Sequence, residues 1–324
     1  MLLRGKLKKQ VQSVEDEPPL SFLDLPELVL ESIFRRLPPQ SLCRLAQTCR
    51  NLRMKCRSDA IWEPLFYERW GKVIGPTAFT AWERMVKGEN ARILNRSDMP
   101  SCFWMLPLTC IWSFSRHNEK SVLEEPSERF ASMYSDLESG KLWFPAQVYN
   151  RQNGHVGFVL SCYDAELNYV RDSDTFCARY SPYYPRVIIE DGIPWARIRK
   201  PAVETSPSEI HIPDIAEEFR PGDHIEVQWK RCQYFPYGWW YGIVGHAANC
   251  TRDDQDCECH LDEVLWLEFR QYIRGSRWRK VQIKRKRTRE DSSGLDGFYG
   301  GIRKLYREDE ISAWLDLWPK QTLQ

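Results

Sequence analysis

An α+β fold is predicted for this chain: a helical N-terminal module, a β-rich region, and a closing C-terminal helix. Three observations carry the prediction. Residues 22–70 repeat apolar side chains at the three- and four-residue spacing of helices. From Leu142 onward the period shortens to two, in segments rich in β-branched and aromatic residues bounded by turn formers. The last segment returns to helical spacing and places Ile311, Trp314, Leu315 and Trp318 on one face. At 324 residues the chain is long enough for two or three domains.

Residues 1–20 are charged and lack the apolar stretch of a signal peptide, so they are expected to be a disordered leader. Leu25-Pro26-Glu27 then opens a helix carrying Val29, Leu30, Ile33, Phe34 and Leu37, and Pro38-Pro39 stops it. A second run carries Leu42, Leu45, Ala46 and Cys49, and a third Leu52 and Cys56. Ile61-Trp62 with Leu65-Phe66 closes the set. After a Gly75-Pro76 break a short helix is expected around Phe79, Trp82 and Met85. Residues 90–125 show no clean period and are expected to be a linker. Pro126 to Ser139 reads as a helix with Gly140 after its end. Seven candidate strands follow between Leu142 and Arg287, forming one β domain or two fused small barrels. The expected domains are therefore 1–20, 21–67, 68–125 and 126–324.

Composition narrows the function. Hydrophobic and charged fractions of 42% and 28% describe an ordinary globular chain. A formal net charge of +1 removes any global electrostatic case for nucleic acid or an acidic membrane. No run reaches the roughly 18 apolar residues of a membrane helix; the nearest, Cys102 to Phe114, is broken by Pro107. The 11 cysteines are scattered, and without a secretion signal they are expected to be reduced thiols in a cytoplasmic or nuclear protein.

The order of features in residues 22–70 (a Leu-Pro start, a di-Pro stop, Leu-x-x-Leu, Cys-x-x-Leu and a distal Trp) resembles an F-box, the helical module that docks substrate receptors onto a Skp-type adaptor of cullin-RING ubiquitin ligases. Together with WFPAQVYNR, PGDHIEVQWKR, PYGWWYGIVGH and GFYGGIRKL, it resembles a land-plant subfamily of F-box-only proteins. The resemblance implies a non-catalytic ligase subunit that binds the adaptor and, through it, cullin and RING subunits, and that captures an unknown protein substrate. It places Leu25, Pro26 and Leu28 at the adaptor contact. Ile33, Leu37, Leu42, Leu45 and Cys49 would form the shared core and docking face, and Trp62 would anchor the last helix. The physical reading agrees in kind: so many apolar residues cannot all face inward in fifty residues, and an open apolar patch marks an interface.

Within the β region, Gly222 to Val227 followed by Trp239-Trp240-Tyr241 looks like the start of a Tudor- or Agenet-type barrel, whose aromatic cage attracts methylated lysine through cation–π contact. Tyr237, Trp239, Trp240 and Tyr241 are thus the candidate substrate-binding residues. The competing reading makes these rings core, since alternation sends at least one of them to an inner face. The alternative function is a peptide reader that holds the adaptor outside a ligase.

His246-x3-Cys250-x6-Cys257-x-Cys259-His260 is the densest Cys/His group. Standard zinc sites present Cys-x2–4-Cys pairs from two loops, and adjacent Cys259 and His260 diverge, so the expectation is reduced thiols and no metal. Lys284-Arg285-Lys286-Arg287 reads as a solvated strand end more readily than as a nuclear signal. No cofactor is implied. His117, His155, His211 and His224 are isolated and compose no catalytic set.

Overall fold

Proline and cysteine set the boundaries of the first helices. Pro26 caps α1 (Glu27–Phe34), where its missing N–H costs no intrahelical bond. α1 ends at Phe34, before the expected Leu37 and the proline pair, and Pro39 instead is the first residue of α2 (Pro39–Ala46), its fixed φ suited to the opening turn. Cys49 caps α3 (Arg50–Cys56), its sulfur accepting from the Leu52 amide at 3.4 Å. The Trp62 indole donates to the Cys56 carbonyl at 2.6 Å, which satisfies an acceptor at the end of α3. The computed structural model describes residues 22–87, 128–154, 157–183, 186–203, 209–211, 219–232, 234–247, 250, 257–259, 263–285, 291–292 and 297–317.

The chain divides into two units, Met1–Trp62 and Glu63–Gln324, the boundary falling inside α4 (Asp59–Trp70). In the first, Leu30, Phe34, Leu42, Leu52, Cys56, Ile61 and Trp62 are buried. Burial also raises the pKa of the Cys56 thiol, which behaves as a small apolar side chain.

The second unit adds α5 (Pro76–Val86) and α6 (Arg129–Glu138) to a large sheet. Gly140 ends α6 in the left-handed region at φ 66°, as its place in the sequence leads one to expect. The strands are β1 (Trp143–Gly154), β2 (Gly157–Val170), β3 (Thr175–Tyr183), β4 (Arg186–Ile193), β5 (Ile198–Arg199), β6 (His224–Lys230), β7 (Gly238–Val244), β8 (Val264–Glu268), β9 (Lys280–Lys284), β10 (Asp291–Ser292) and β11 (Phe298–Lys304). They form one connected sheet in the order β10-β11-β6-β7-β2-β1-β5, with β3–β4 branching from β2 and β8–β9 from β7. Every described pairing between these strands is antiparallel. The fork has a simple origin. β2 is 14 residues long: Ser161 and Cys162 pair with β7, while Ala165 to Val170 pair with β3. One long strand thereby belongs to both lobes of a single connected sheet.

Three apolar clusters stand out among the described residues of this unit. α4, α5 and α6 pack Phe66, Trp70, Trp82, Met133 and Leu137 against Phe144, Leu167 and Phe176 of the β1–β3 lobe. Val227, Leu265, Leu267, Ile283 and Tyr299 fill the β6–β9 and β11 lobe. The third cluster lies on the opposite face of β1 and β2, where Tyr149, Leu160 and Cys162 meet Trp239, Tyr241 and Trp314. Trp314 belongs to α7 (Glu308–Leu315), the closing helix, which buries Trp314 and leaves Leu315 exposed; Trp318 lies outside the described residues.

Two polar nodes secure these layers. The Arg69 guanidinium lies 4.9 Å from the Trp195 ring centre and donates to Glu138 at 2.8 Å and to the Tyr169 hydroxyl at 2.7 Å. The second node is Glu226, fully buried in β6. It accepts from Arg199 at 2.5 Å, from the Trp314 indole at 2.6 Å and from Arg303 at 3.2 Å. Arg303 also reaches Glu310 at 2.9 Å, so one buried carboxylate links β5, β6, β11 and α7.

Candidate functional site

The first unit leaves a cluster of apolar side chains uncovered at the start of α1. Leu28 is 79% exposed, with Leu25, Val29 and Phe22 also exposed. Pro26 is exposed between them. The helical period explains the grouping: Leu25, Leu28 and Val29 stand three and four residues apart, while Leu30 and Phe34 turn to the core. Phe22 packs beside Phe34 with ring centres 6.2 Å apart.

The other candidate adaptor residues divide by depth. Ile33, Leu37, Leu45 and Cys49 are half-buried, whereas Leu42 and Trp62 are buried and hold the module together from inside. Phe22 and Val29 belong to the uncovered face and were not among the residues picked from sequence. Their proximity to the Leu25-Pro26 start was the available signal. The Glu27–Lys55 ion pair, 2.8 Å long with Glu27 80% exposed, flanks the face and contributes little stability by itself.

The candidate substrate rings, read from sequence either as a recognition surface or as core, take packed positions. Tyr237, Trp239 and Tyr241 are buried and Trp240 is half-buried. Alternation along β7 sends Trp239 and Tyr241 into the cluster around Trp314, and Trp240 against Trp229 at 4.4 Å on the other face. Both faces of β7 thus carry packed rings, with Trp240 half-buried. Tyr237 does engage a cation, but an internal one: Lys230 Nζ lies 4.3 Å from its ring centre and 5.7 Å from that of Phe298. The chain's own lysine takes the place a methyl-lysine cage would keep for a ligand, which removes the support for a Tudor- or Agenet-type reader. Exposed apolar side chains in this unit stand elsewhere, notably Val187 and Ile189 of β4 and the rings of Tyr234 and Tyr306. β4 pairs with β3 on one side, and sequence reading gave its outward residues no role.

The Cys/His group is a second departure. Ligand atoms of His246, Cys250, Cys257 and Cys259 lie within 4.8 Å of one another. Linear spacing had argued against a site, but the antiparallel β7–β8 pairing returns the chain beside His246. Hydrogen bonding from Cys259 lowers the Cys257 thiol pKa, and burial raises that of Cys259. His260 lies outside the described residues.

The chain thus carries a helical module with an open apolar face, followed by a β-rich unit. The comparisons with known proteins specify the class. Residues 22–64 match the F-box domain family. An F-box protein of Arabidopsis thaliana is 44% identical over 314 residues, spanning 94% of this chain and 84% of its own length. A second from the same plant is 41% identical over 333 residues, spanning 99% of this chain and 89% of its own. The chain belongs to the F-box proteins.

Proposed function

We propose that this protein is the substrate-recognition subunit of an SCF-type ubiquitin ligase. It would dock on a Skp-type adaptor through the α1 face and hold its target through the β-rich unit. F-box proteins are generally such subunits and are typically non-catalytic. Catalysis then consists of proximity: a bound target sees a high effective concentration of the ubiquitin-conjugating enzyme carried by the RING subunit, and no catalytic side chain is required here. Cytoplasm or nucleus is the corresponding location. Among the described residues no helix is long and apolar enough to cross a membrane.

The observation that carries the proposal is the uncovered Leu25, Pro26, Leu28 and Val29 face above a complete core. A grouped patch of exposed apolar side chains marks an interaction site. The test is co-purification of the Leu25→Ala, Pro26→Ala double variant with a Skp-type adaptor and cullin. Apolar anchors at an interface centre contribute ~2 kcal/mol or more each, so the double variant should lose the adaptor by a factor of about a thousand or more. Because both residues are exposed, the variant should melt like the parent. Undiminished adaptor recovery would refute the docking face. Adaptor recovered from the parent without cullin would favour a role outside a ligase.

A further inference from the structure

We propose that His246, Cys250, Cys257 and Cys259 form a zinc site that staples the β7–β8 connection. The four residues come from two short stretches, one just after β7 and one just before β8. Zinc bound tetrahedrally at 2.3 Å from sulfur and 2.0–2.1 Å from nitrogen would set its ligands about 3.8 Å apart for two sulfurs and about 3.6 Å apart for sulfur and nitrogen. The Cys250 and Cys257 sulfurs are 3.5 Å apart, and His246 Nδ1 is 3.3 Å from the Cys257 sulfur. With no ligand pair beyond 4.8 Å, a metal needs only small side-chain adjustments to complete the polyhedron.

The surroundings fit a thiolate site better than a packed apolar corner. The Cys259 amide donates to the Cys257 sulfur at 3.2 Å, and the Ala247 amide to the Cys259 sulfur at 3.4 Å. Such amide–sulfur bonds orient ligands and stabilise charge on sulfur. The Cys250 amide closes a turn onto the Ala247 carbonyl at 3.0 Å, which carries Cys250 back toward His246. Three thiolates and a neutral imidazole around a divalent ion leave one negative charge. Arg285 supplies the opposite charge beside it, donating to the Cys259 carbonyl at 3.1 Å. Three sulfurs and one nitrogen in a tetrahedron select zinc over magnesium or calcium, which prefer oxygen.

The site also has structural work to do. Gly245 is locked to the Trp266 carbonyl at 2.8 Å, so β7 and β8 are paired where the connection begins and ends. A metal holding His246 and Cys250 to Cys257 and Cys259 would tie the end of β7 to the approach to β8, and would stabilise the folded state through its binding free energy.

The test uses the full-length protein expressed with zinc in the medium and purified without chelator. Elemental analysis should find about one zinc per chain, the count the four ligands set. Cys250→Ser and Cys257→Ser should each lose the zinc and melt at lower temperature, while Cys43→Ser, at an exposed position, should keep it. If the ligand variants fail to fold, the parent decides. Its Cys250, Cys257 and Cys259 thiols should resist alkylation until a chelator is added, with Cys43 reactive throughout. Folded parent protein that neither contains zinc nor binds it on titration would overturn the proposal. So would a Cys250–Cys257 disulfide in the unreduced peptide map.

Discussion

Glu226 shows how much of this fold turns on a single side chain. Burial alone would raise its pKa, but the charges of Arg199 and Arg303 outweigh burial and hold it at about 2. A carboxyl whose folded pKa lies below its ordinary value of 4.5 contributes stability that is present above about pH 4.5 and is lost as pH falls toward about 2. Removing one partner of a buried ion cluster leaves charge uncompensated, at a cost of about 3–5 kcal/mol. Glu226→Gln should therefore lower stability by that order at pH 7. In denaturant titrations the gap to the parent should narrow between pH 4.5 and 2 as the parent carboxylate takes up its proton. A gap constant with pH would mean that Glu226 acts through shape and not charge. Nothing in the sequence marked this residue. An acidic side chain in an alternating strand reads as solvent-facing, and Arg199, Arg303 and Trp314 reach it from 27, 77 and 88 positions away. The rings of β7 were open to two readings, surface and core, for the same reason. Their density suggested a surface, yet α7 covers one face with Trp314 and Trp229 packs on the other. Tyr241→Ala should cost about 3–5 kcal/mol, as for other large buried aromatics, and show as a lower melting midpoint with adaptor binding retained. A variant as stable as the parent would return Tyr241 to the list of candidate binding residues.

Elements whose ends are written in local chemistry were the most legible. Pro26 and Gly140 bound two helices as read, because the backbone constraint belongs to the residue itself, whereas Pro39, read as a stop, opens α2. The period change near Leu142 likewise marked β1, since alternation is a property of any half-buried strand. The forking of the sheet was not legible. β2 and β7 pair with more neighbours than a simple hairpin needs, and which strand a long β2 shares depends on partners far along the chain. The irregularity near the start of β11 is a further example. The register shifts between Tyr299 and Ile302, and at Gly301 a Cβ would sit 1.9 Å from the His211 carbonyl oxygen. The Gly300-Gly301 pair is therefore a close-approach device. Gly301→Ala must displace the 211 backbone, and its amide bond to Gln228 at 2.8 Å would be strained with it. We expect a loss of about 2 kcal/mol or more from overpacking, read as a shifted denaturant midpoint. An unshifted midpoint would show that the His211 segment yields freely.

At the level of the whole chain, composition and period separated a helical head from a β-rich body, and placed the body's start near residue 126. The packing argues for an earlier start. Phe66, Trp70, Val73, Ile74, Ala78 and Trp82, all before residue 88, are buried in the same cluster as Phe144, Leu167 and Phe176. Trp70 meets Tyr169 edge-on at 5.2 Å, and the Trp82 indole donates to Asp136 at 3.0 Å. Helical periodicity revealed that these residues form helices but could not reveal which core those helices join, because an apolar face carries no address. The consequence is a sharp contrast between two fragments. Residues 63–324 retain every member of the cluster, whereas residues 126–324 lose three aromatic rings, Phe66, Trp70 and Trp82. Each deletion of a large buried ring costs about 3–5 kcal/mol, so the three together rival the whole stability of a domain, about 5–15 kcal/mol. The longer fragment should melt cooperatively with a β-dominated spectrum. The shorter should melt without cooperativity or at a much lower temperature, and bind dyes that report exposed apolar surface. Equal cooperativity and equal midpoints for the two would place α4 and α5 outside the body's essential core and restore the boundary near residue 126.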